Sequence, residues 1–347
     1  MIKIGIIGCG KIAQVRHIPE YNANSKCKII GVYDINQENA NYISKKYNVK
    51  AFKTVDELLG SGVDAVSVCT SNSTHANMSI QALDSGKHVL CEKPMAITYD
   101  ECLSMCKASQ NANKLLMIGH NQRFSPTHIK AREYIASNKI GKVLSFHTTF
   151  GHPGPEAWTS NPNSWFFDKT KAHFGAMADL GVHKTDLIRF LLCDDICEVY
   201  SQFGILDKTY SDGSPISVDD NAFCCYKTKK GAMGLMHVSW TFYGNSEDNS
   251  TQIYGSKGIL RLYDDPDYSF IFEPRDGEVQ KYNLDQIADN KTQTDNSVDS
   301  TGIIDHFISS ILKESKCIIT GEEALKSMKV IFAAEESSKT NKKVIIN

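Results

Sequence analysis

The 347-residue chain contains no apolar run approaching the roughly 18 residues that span a bilayer, and no charged leader precedes the apolar stretch starting at Ile2. A cytoplasmic protein is expected. Charge of one sign is also missing. The 38 Lys and Arg and 40 Asp and Glu are mixed along the chain, giving a net charge of −2. Such a balance provides no long-range field for nucleic acid or an anionic membrane, so the expected partner is a small molecule. Despite eleven cysteines and eleven histidines, the chain has no Cys-x-x-Cys, His-x-x-x-His or His-Glu-x-x-His. Cys102 with Cys106, and Cys193 with Cys197, have four-residue spacing but no convincing second pair, and no metal is expected. The odd cysteine count in a long chain, with Cys9, Cys69, Cys91, Cys102 and Cys106 in predicted strands or helices, points to reduced, mostly buried thiols. No internal repeat is present.

What the chain does contain is a dinucleotide-binding pattern at its start. The segment Gly5-Ile6-Ile7-Gly8-Cys9-Gly10-Lys11-Ile12-Ala13 reads as a buried strand turning through Gly-x-Gly-x-x-Ala into a helix. Gly8 permits the tight turn, Gly10 admits a pyrophosphate close to the backbone, and Ala13 lets helix and strand pack. The diphosphate would rest on free N–H groups at the positive end of the helix dipole. A second apolar run, Cys27 to Tyr33, ends in Asp34, about 20 residues on as the fingerprint requires. A carboxylate there accepts hydrogen bonds from a ribose diol and repels a 2′-phosphate; at about 4 Å and an effective dielectric near 20, the repulsion is roughly 4 kcal/mol. NAD is therefore preferred, while Lys45 and Lys46 on the following helix leave NADP as an alternative.

The length favours two domains. For about 120 residues strands and helices alternate, as in a doubly wound parallel sheet. Predicted strands lie near Ala51-Phe52 and over Asp64–Cys69, His88–Cys91 and Leu115–Gly119; predicted helices cover Asn36–Lys46 and Thr74–Ser85, with capping boxes at Thr54-Glu57 and Thr98-Glu101. After a helix from Pro126 to Ser137 the pattern changes. From Val143 to Tyr282 it has the strand period, with turns at Lys229–Gly231, Gly255–Gly258 and Asp264–Asp267, which describes an antiparallel sheet. One helix, Ala176 to Leu192, interrupts it, and two more close the chain, Asp299–Glu314 and Gly321–Thr340. The polar stretch Gln286–Val298 reads as an exposed loop.

Two further motifs carry chemistry. Glu92-Lys93-Pro94 directly follows a predicted parallel strand, and ligands of such sheets bind beyond the strands' carboxyl ends, so Lys93 is placed toward a crevice. Asp179 and His183 are four residues apart on the interrupting helix, which sets carboxylate and imidazole on one face. Taken separately, a solvated lysine before a structural proline, and a helix-surface pair or buried structural histidine, are the commoner readings.

In order and spacing, Gly8–Ala13, Thr70-Ser71-Asn72-Ser73-Thr74-His75, Gly86–Pro94 and Asp179–His183 together resemble the glucose-fructose oxidoreductase and inositol dehydrogenase (Gfo/Idh/MocA) family, over nearly the whole chain. The resemblance implies an α/β architecture: an N-terminal Rossmann domain, residues 1–121, followed by an α+β domain, 122–347, with a large, mostly antiparallel open sheet. It implies an NAD(P)-dependent dehydrogenase acting on a secondary hydroxyl of a sugar, sugar derivative or cyclic polyol. Lys93 and His183 would form the catalytic pair with Asp179 as companion. Gly8, Gly10, Lys11, Ile12, Asp34, Thr70, Ser71, Asn72, His75, Glu92, Lys93 and Arg123 would belong to the cofactor site. A homodimer or homotetramer through the C-terminal sheet is also implied.

Departures concern the substrate: His173–Met177 stands where many relatives have a glycine-rich run, and the loop Gly151–Trp158 is distinctive. Candidate substrate walls are Phe150, His152, Trp165, Phe166 and Tyr243, each equally readable as core or interface. Two other functions fit the same family. One is an NAD-dependent glycosidase working by transient oxidation and elimination; the other is a non-catalytic NAD-binding regulator, against which the presence of Lys93, Asp179 and His183 argues.

Overall fold

The computed structural model describes residues 1–285 and 300–347, so the predicted loop Gln286–Val298 lies outside the described residues. The chain forms two units, one of residues 1–121 with 300–325 and the other of 122–285 with 326–347. Among the described residues, no helix is long and apolar enough to cross a membrane.

The first unit is built on six parallel strands: β1 (Ile2–Ile7), β2 (Cys27–Tyr33), β3 (Lys50–Ala51), β4 (Ala65–Val68), β5 (His88–Cys91) and β6 (Leu116–Ile118). Their order is β3-β2-β1-β4-β5-β6, so the winding reverses between β1 and β4, the switch point where a doubly wound sheet binds ligand. The apolar runs form this sheet because both its faces are covered: Ile4, Ile6 and Ile7 of β1 and all of β4 are buried. Helices begin where capping residues stand. Thr98 and Glu101 exchange hydrogen bonds in a complete capping box at the start of Tyr99–Ala112. At Thr54 only half of the expected box forms: its Oγ1 accepts the Glu57 N–H, but the Glu57 carboxylate takes the Lys53 N–H.

The domain expectation needs one correction. Residues 300–325, assigned from sequence to the second domain, join the first unit. The helix Ile303–Ile311 buries Ile303, Ile304, Phe307 and Ile308 and packs against the helix Ile18–Ala23. Ile118 N–H donates to the Ile319 carbonyl at 3.1 Å, and Asn24 Nδ2 to Asp305 Oδ1 at 2.7 Å.

The second unit carries nine strands: β7 (Val143–Gly151), β8 (Ile196–Gly204), β9 (Asn221–Thr228), β10 (Met233–Ser239), β11 (Thr251–Gly255), β12 (Gly258–Leu262), β13 (Phe270–Pro274), β14 (Gln280–Tyr282) and β15 (Val344–Ile345). The order is β14-β13-β12-β11-β7-β10-β9-β8-β15, antiparallel except for the β7/β10 pair. Strands β9 and β10 alternate buried and exposed residues, giving one face to the core and one to solvent. Against the core lies the helix Val182–Leu192, buried over its whole length. Two of its cationic side chains are held internally. Lys184 Nζ donates to the Asn249 carbonyl at 2.8 Å, and Arg189 Nη1 to Ser327 Oγ at 2.8 Å.

Candidate active site

The glycine turn of the first unit has the geometry its residues demand. Gly8 has φ +94°, and a Cβ there would lie 2.6 Å from the Cys69 carbonyl oxygen, so no other residue fits. A Cβ on Gly10 would meet nothing within 4 Å, which leaves open space before the helical turn that starts at Lys11 and Ile12. Asp34, at the end of β2, accepts the Cys9 N–H at 2.6 Å and the Asn36 N–H at 2.8 Å. One carboxylate thus ties the glycine loop to the following helix and retains further lone pairs for a diol. These residues fit an NAD adenosine diphosphate.

Beyond β4, Thr74 Oγ1 donates to Thr70 Oγ1 (2.8 Å) and to the Ser71 carbonyl (2.9 Å), and Asn72 is buried. His75 lies behind this loop, buried, with Nδ1 2.7 Å from the Pro94 carbonyl and Nε2 3.1 Å from the Thr70 carbonyl. It staples the loops after β4 and β5 together. Glu92 is likewise buried rather than facing a crevice. Its Oε1 is 2.8 Å from His17 Nε2 and 3.9 Å from Arg16 Nη1, and its Oε2 accepts the Lys93 N–H at 3.1 Å. His17 Nδ1 reaches Ser67 Oγ at 3.1 Å, which Tyr21 also contacts at 2.7 Å. Burial pushes the Glu92 carboxyl up, but the His17 hydrogen bond and charge, with Arg16 and Lys93, outweigh it and hold the group well below the usual carboxylate range. His17 reaches Glu92 from a π-helical turn, Ala13–His17, a feature without any sequence signal.

In the second unit, Asp179 sits in another π-turn, Met177–Gly181, which runs directly into the helix bearing His183. The two are 5% and 8% exposed. The N-terminus of this segment is capped by a residue the sequence reading missed. Asp219 accepts the Gly175 N–H on Oδ1 and the Met177 N–H on Oδ2, both at 2.8 Å, and a Cβ on Gly175 would lie 1.9 Å from the Asp219 carbonyl oxygen. Burial pushes the Asp219 carboxyl up to about 7, against the two N–H bonds and with the help of Asp220. Trp240, also missed, donates its Nε1–H to Asp179 Oδ2 at 3.1 Å, and His152 Nε2 lies 3.4 Å from the same oxygen. Phe150 is buried with its ring 6.0 Å from His152 and 6.2 Å from His183. Phe166 stacks on Trp165 at 4.0 Å and meets Trp158 and Trp240 edge-on, forming an aromatic wall that runs to the indole on Asp179.

Arg123 is buried in a bidentate pair with Asp186 at 2.6–2.7 Å, a strut on the central helix. Tyr243 is 61% exposed and donates its hydroxyl to Asp207. Among the described residues, no group of three or more His, Cys, Asp or Glu could hold a metal ion.

The model of the oxidoreductase family with an NAD-binding Rossmann fold matches residues 2–120, and the GFO/IDH/MocA C-terminal domain matches residues 128–261. The chain belongs to this family. It is 33% identical to glucose-6-phosphate 3-dehydrogenase of Bacillus subtilis over 225 residues, 64% of this chain and 63% of that protein, so the match spans less than two thirds of that relative. It is 23% identical to myo-inositol 2-dehydrogenase of Thermotoga maritima over 99% of this chain and 98% of that one. The fold is that of a solved levoglucosan dehydrogenase in complex with NADH and L-sorbose, with a TM-score of 0.87 at 22% identity over 100% of this chain and 99% of that one.

Two measurements test the geometry. Replacing His17→Leu removes the hydrogen-bonded partner of a buried carboxylate, and chemical denaturation should report a loss of about 3–5 kcal/mol. For Asp219 the folded chain binds a proton that the unfolded chain releases near pH 3.8, so its contribution to stability falls as pH rises from about 4 to 7. Denaturation of wild type and Asp219→Asn across that range should give a difference that declines with pH; a flat difference contradicts the assignment.

Proposed function

We propose that this chain is an NAD-dependent dehydrogenase of a secondary hydroxyl on a sugar, sugar derivative or cyclic polyol. The observation that carries this reading is the burial of both Asp179 and His183 on one helical segment whose start is held by a dedicated acid, Asp219. His183 takes the hydroxyl proton, a role suited to an imidazole because its ordinary pKa is near neutrality. Lys93, its backbone pinned by Glu92, supplies an ammonium that stabilises negative charge developing in the reaction. Asp179 orients His183 or accepts a neighbouring hydroxyl. The aromatic wall around Phe166 offers a face for the C–H surface of a ring substrate. When bound, NAD supplies the acceptor for the hydride.

NAD is preferred over NADP. The Asp34 carboxylate, bonded to the Cys9 and Asn36 N–H groups, repels a 2′-phosphate, while Lys45 and Lys46 occupy the last turn of the helix Gln37–Tyr47. At 1.5 Å per residue they are about 13 Å along the axis from its start, too far to neutralise a phosphate there. The chain acts in the cytoplasm, a setting that its eleven free cysteines favour. It assembles as a homodimer or homotetramer through the solvent face of the nine-stranded sheet. There Tyr200, Phe223, Met233 and Leu235 are between 39% and 63% exposed on three neighbouring strands, an apolar patch of the kind that marks an interface.

A panel of sugars and cyclitols with NAD and with NADP, followed at the nicotinamide absorbance, should give turnover that is faster with NAD. Lys93→Met should lower kcat by at least about 10²-fold while NADH still binds. Unchanged turnover in this variant removes Lys93 from the mechanism. Release of a leaving group without net NADH would favour the glycosidase reading, and NAD binding without any turnover the regulatory one. Light scattering of Leu235→Lys should show a smaller assembly than the wild type.

A further inference from the structure

Lys184 follows His183 on the helix Val182–Leu192, is wholly buried, and has no part in the chemistry described above. Its Nζ donates to the Asn249 carbonyl at 2.8 Å and lies 3.3 Å from both the Ser250 carbonyl and Thr251 Oγ1. All three acceptors are neutral, and among the described residues the ammonium forms no ion pair. A buried charge left unpaired costs stability, and a methionine of similar length fills the same space without that cost. The carbonyls and the hydroxyl satisfy the hydrogens of the ammonium but do not cancel its field.

That field reaches His183. Lys184 Nζ is 5.8 Å from the centre of the Phe150 ring and the centre of the His183 ring is 6.2 Å from it, so ammonium and imidazole are at most about 12 Å apart. At that outer limit, with an effective dielectric near 20, a unit positive charge makes protonation of an imidazole roughly tenfold less favourable, and any closer approach strengthens the effect. Salt screens such buried groups far less than exposed ones. A second imidazole responds to the same charge: His128, 1% exposed, is pushed down to about 4, first by burial and then by Lys184. Burial pushes Lys184 itself down to about 7, against Asp248, so it is charged over the acid range in which imidazoles take up a proton.

The other titratable groups around this helix are His128 of the helix Pro126–Ala136, His152 after β7, Asp219 before β9, Asp248 before β11, and Asp179 on the preceding turn. Asp179 acts on His183 in the opposite sense to Lys184. Farther along, Asp186 is paired with Arg123 and Arg189 with Asp195. All of these stay in place when Lys184 alone is changed.

We propose that Lys184 is a positioning residue that acts through His183: its buried, unpaired ammonium holds the imidazole in the proton-accepting form as the pH falls. This rests on the dehydrogenase reading above, in which His183 is the base.

The test is the pH profile of kcat/KM, with NAD and a panel alcohol that the wild type oxidises, for wild type, Lys184→Met and Lys184→Gln. Methionine keeps the length, glutamine keeps side-chain N–H groups for the carbonyls, and both remove the charge. In each variant the acid limb, where His183 gains its proton, should move to higher pH by about 1 unit or more, while the plateau stays within about 3-fold of wild type. A lysine with a purely structural role lowers the whole curve and leaves the limb in place. An unmoved limb in both variants overturns the proposal and leaves the dehydrogenase reading intact. A second readout needs no turnover. In protein labelled with ¹⁵N-histidine, the His183 ring signals, identified by their loss in His183→Asn, should titrate about 1 pH unit higher in Lys184→Gln than in wild type. Equal titration in the two proteins overturns the proposal even if no panel alcohol is oxidised.

Discussion

The first unit depends on one buried carboxylate. Glu92 ends the run of β5, and its two oxygens hold different parts of the chain: His17 of the helix after the glycine turn on one side, the Lys93 backbone on the other. A carboxylate in that position is tolerable only because it is surrounded by donors. It therefore forces the glycine turn, the end of β5 and the lysine that follows into a single arrangement. Gly119 completes the enclosure, since a side chain there would press on the Glu92 carboxylate at 3.1 Å.

The second unit uses the same device with a different acid. Asp219 closes on the exposed N–H groups at the start of the helical segment that bears Asp179 and His183. The helix behind it is buried on every side, so its orientation is fixed by packing and by the internal partners of Lys184, Asp186 and Arg189 rather than by solvent. Both π-turns fall on segments with candidate chemistry, one delivering His17 to Glu92 and the other carrying Asp179. An inserted residue rotates a side chain relative to a regular helix, which is how each group reaches a partner that 3.6-residue spacing does not offer it.

Much of this was legible in advance where the physics is local. Gly8 and Gly10 are required by backbone conformation and by space, Thr98 by the orphan N–H groups of a helix start, and the alternation of β9 and β10 by one wet and one dry face. The parallel order of the first sheet follows from its alternating helices and strands. Other expectations failed for equally physical reasons. The stretch 300–325 joins the first unit because an apolar helix face buries itself against whichever apolar surface accepts it, whatever its place in the chain. Arg123 and Tyr243 each hold a carboxylate, Asp186 and Asp207, that no local pattern announces.

The amino-acid order alone therefore determined the Rossmann turn and the acidic end of β2, because each is settled by conformation or spacing within a few residues. Only the tertiary structure decided which acids and rings surround the candidate residues. His17 meets Glu92 across 75 positions and Trp240 meets Asp179 across 61, and no local pattern encodes contacts between residues so far apart in the chain.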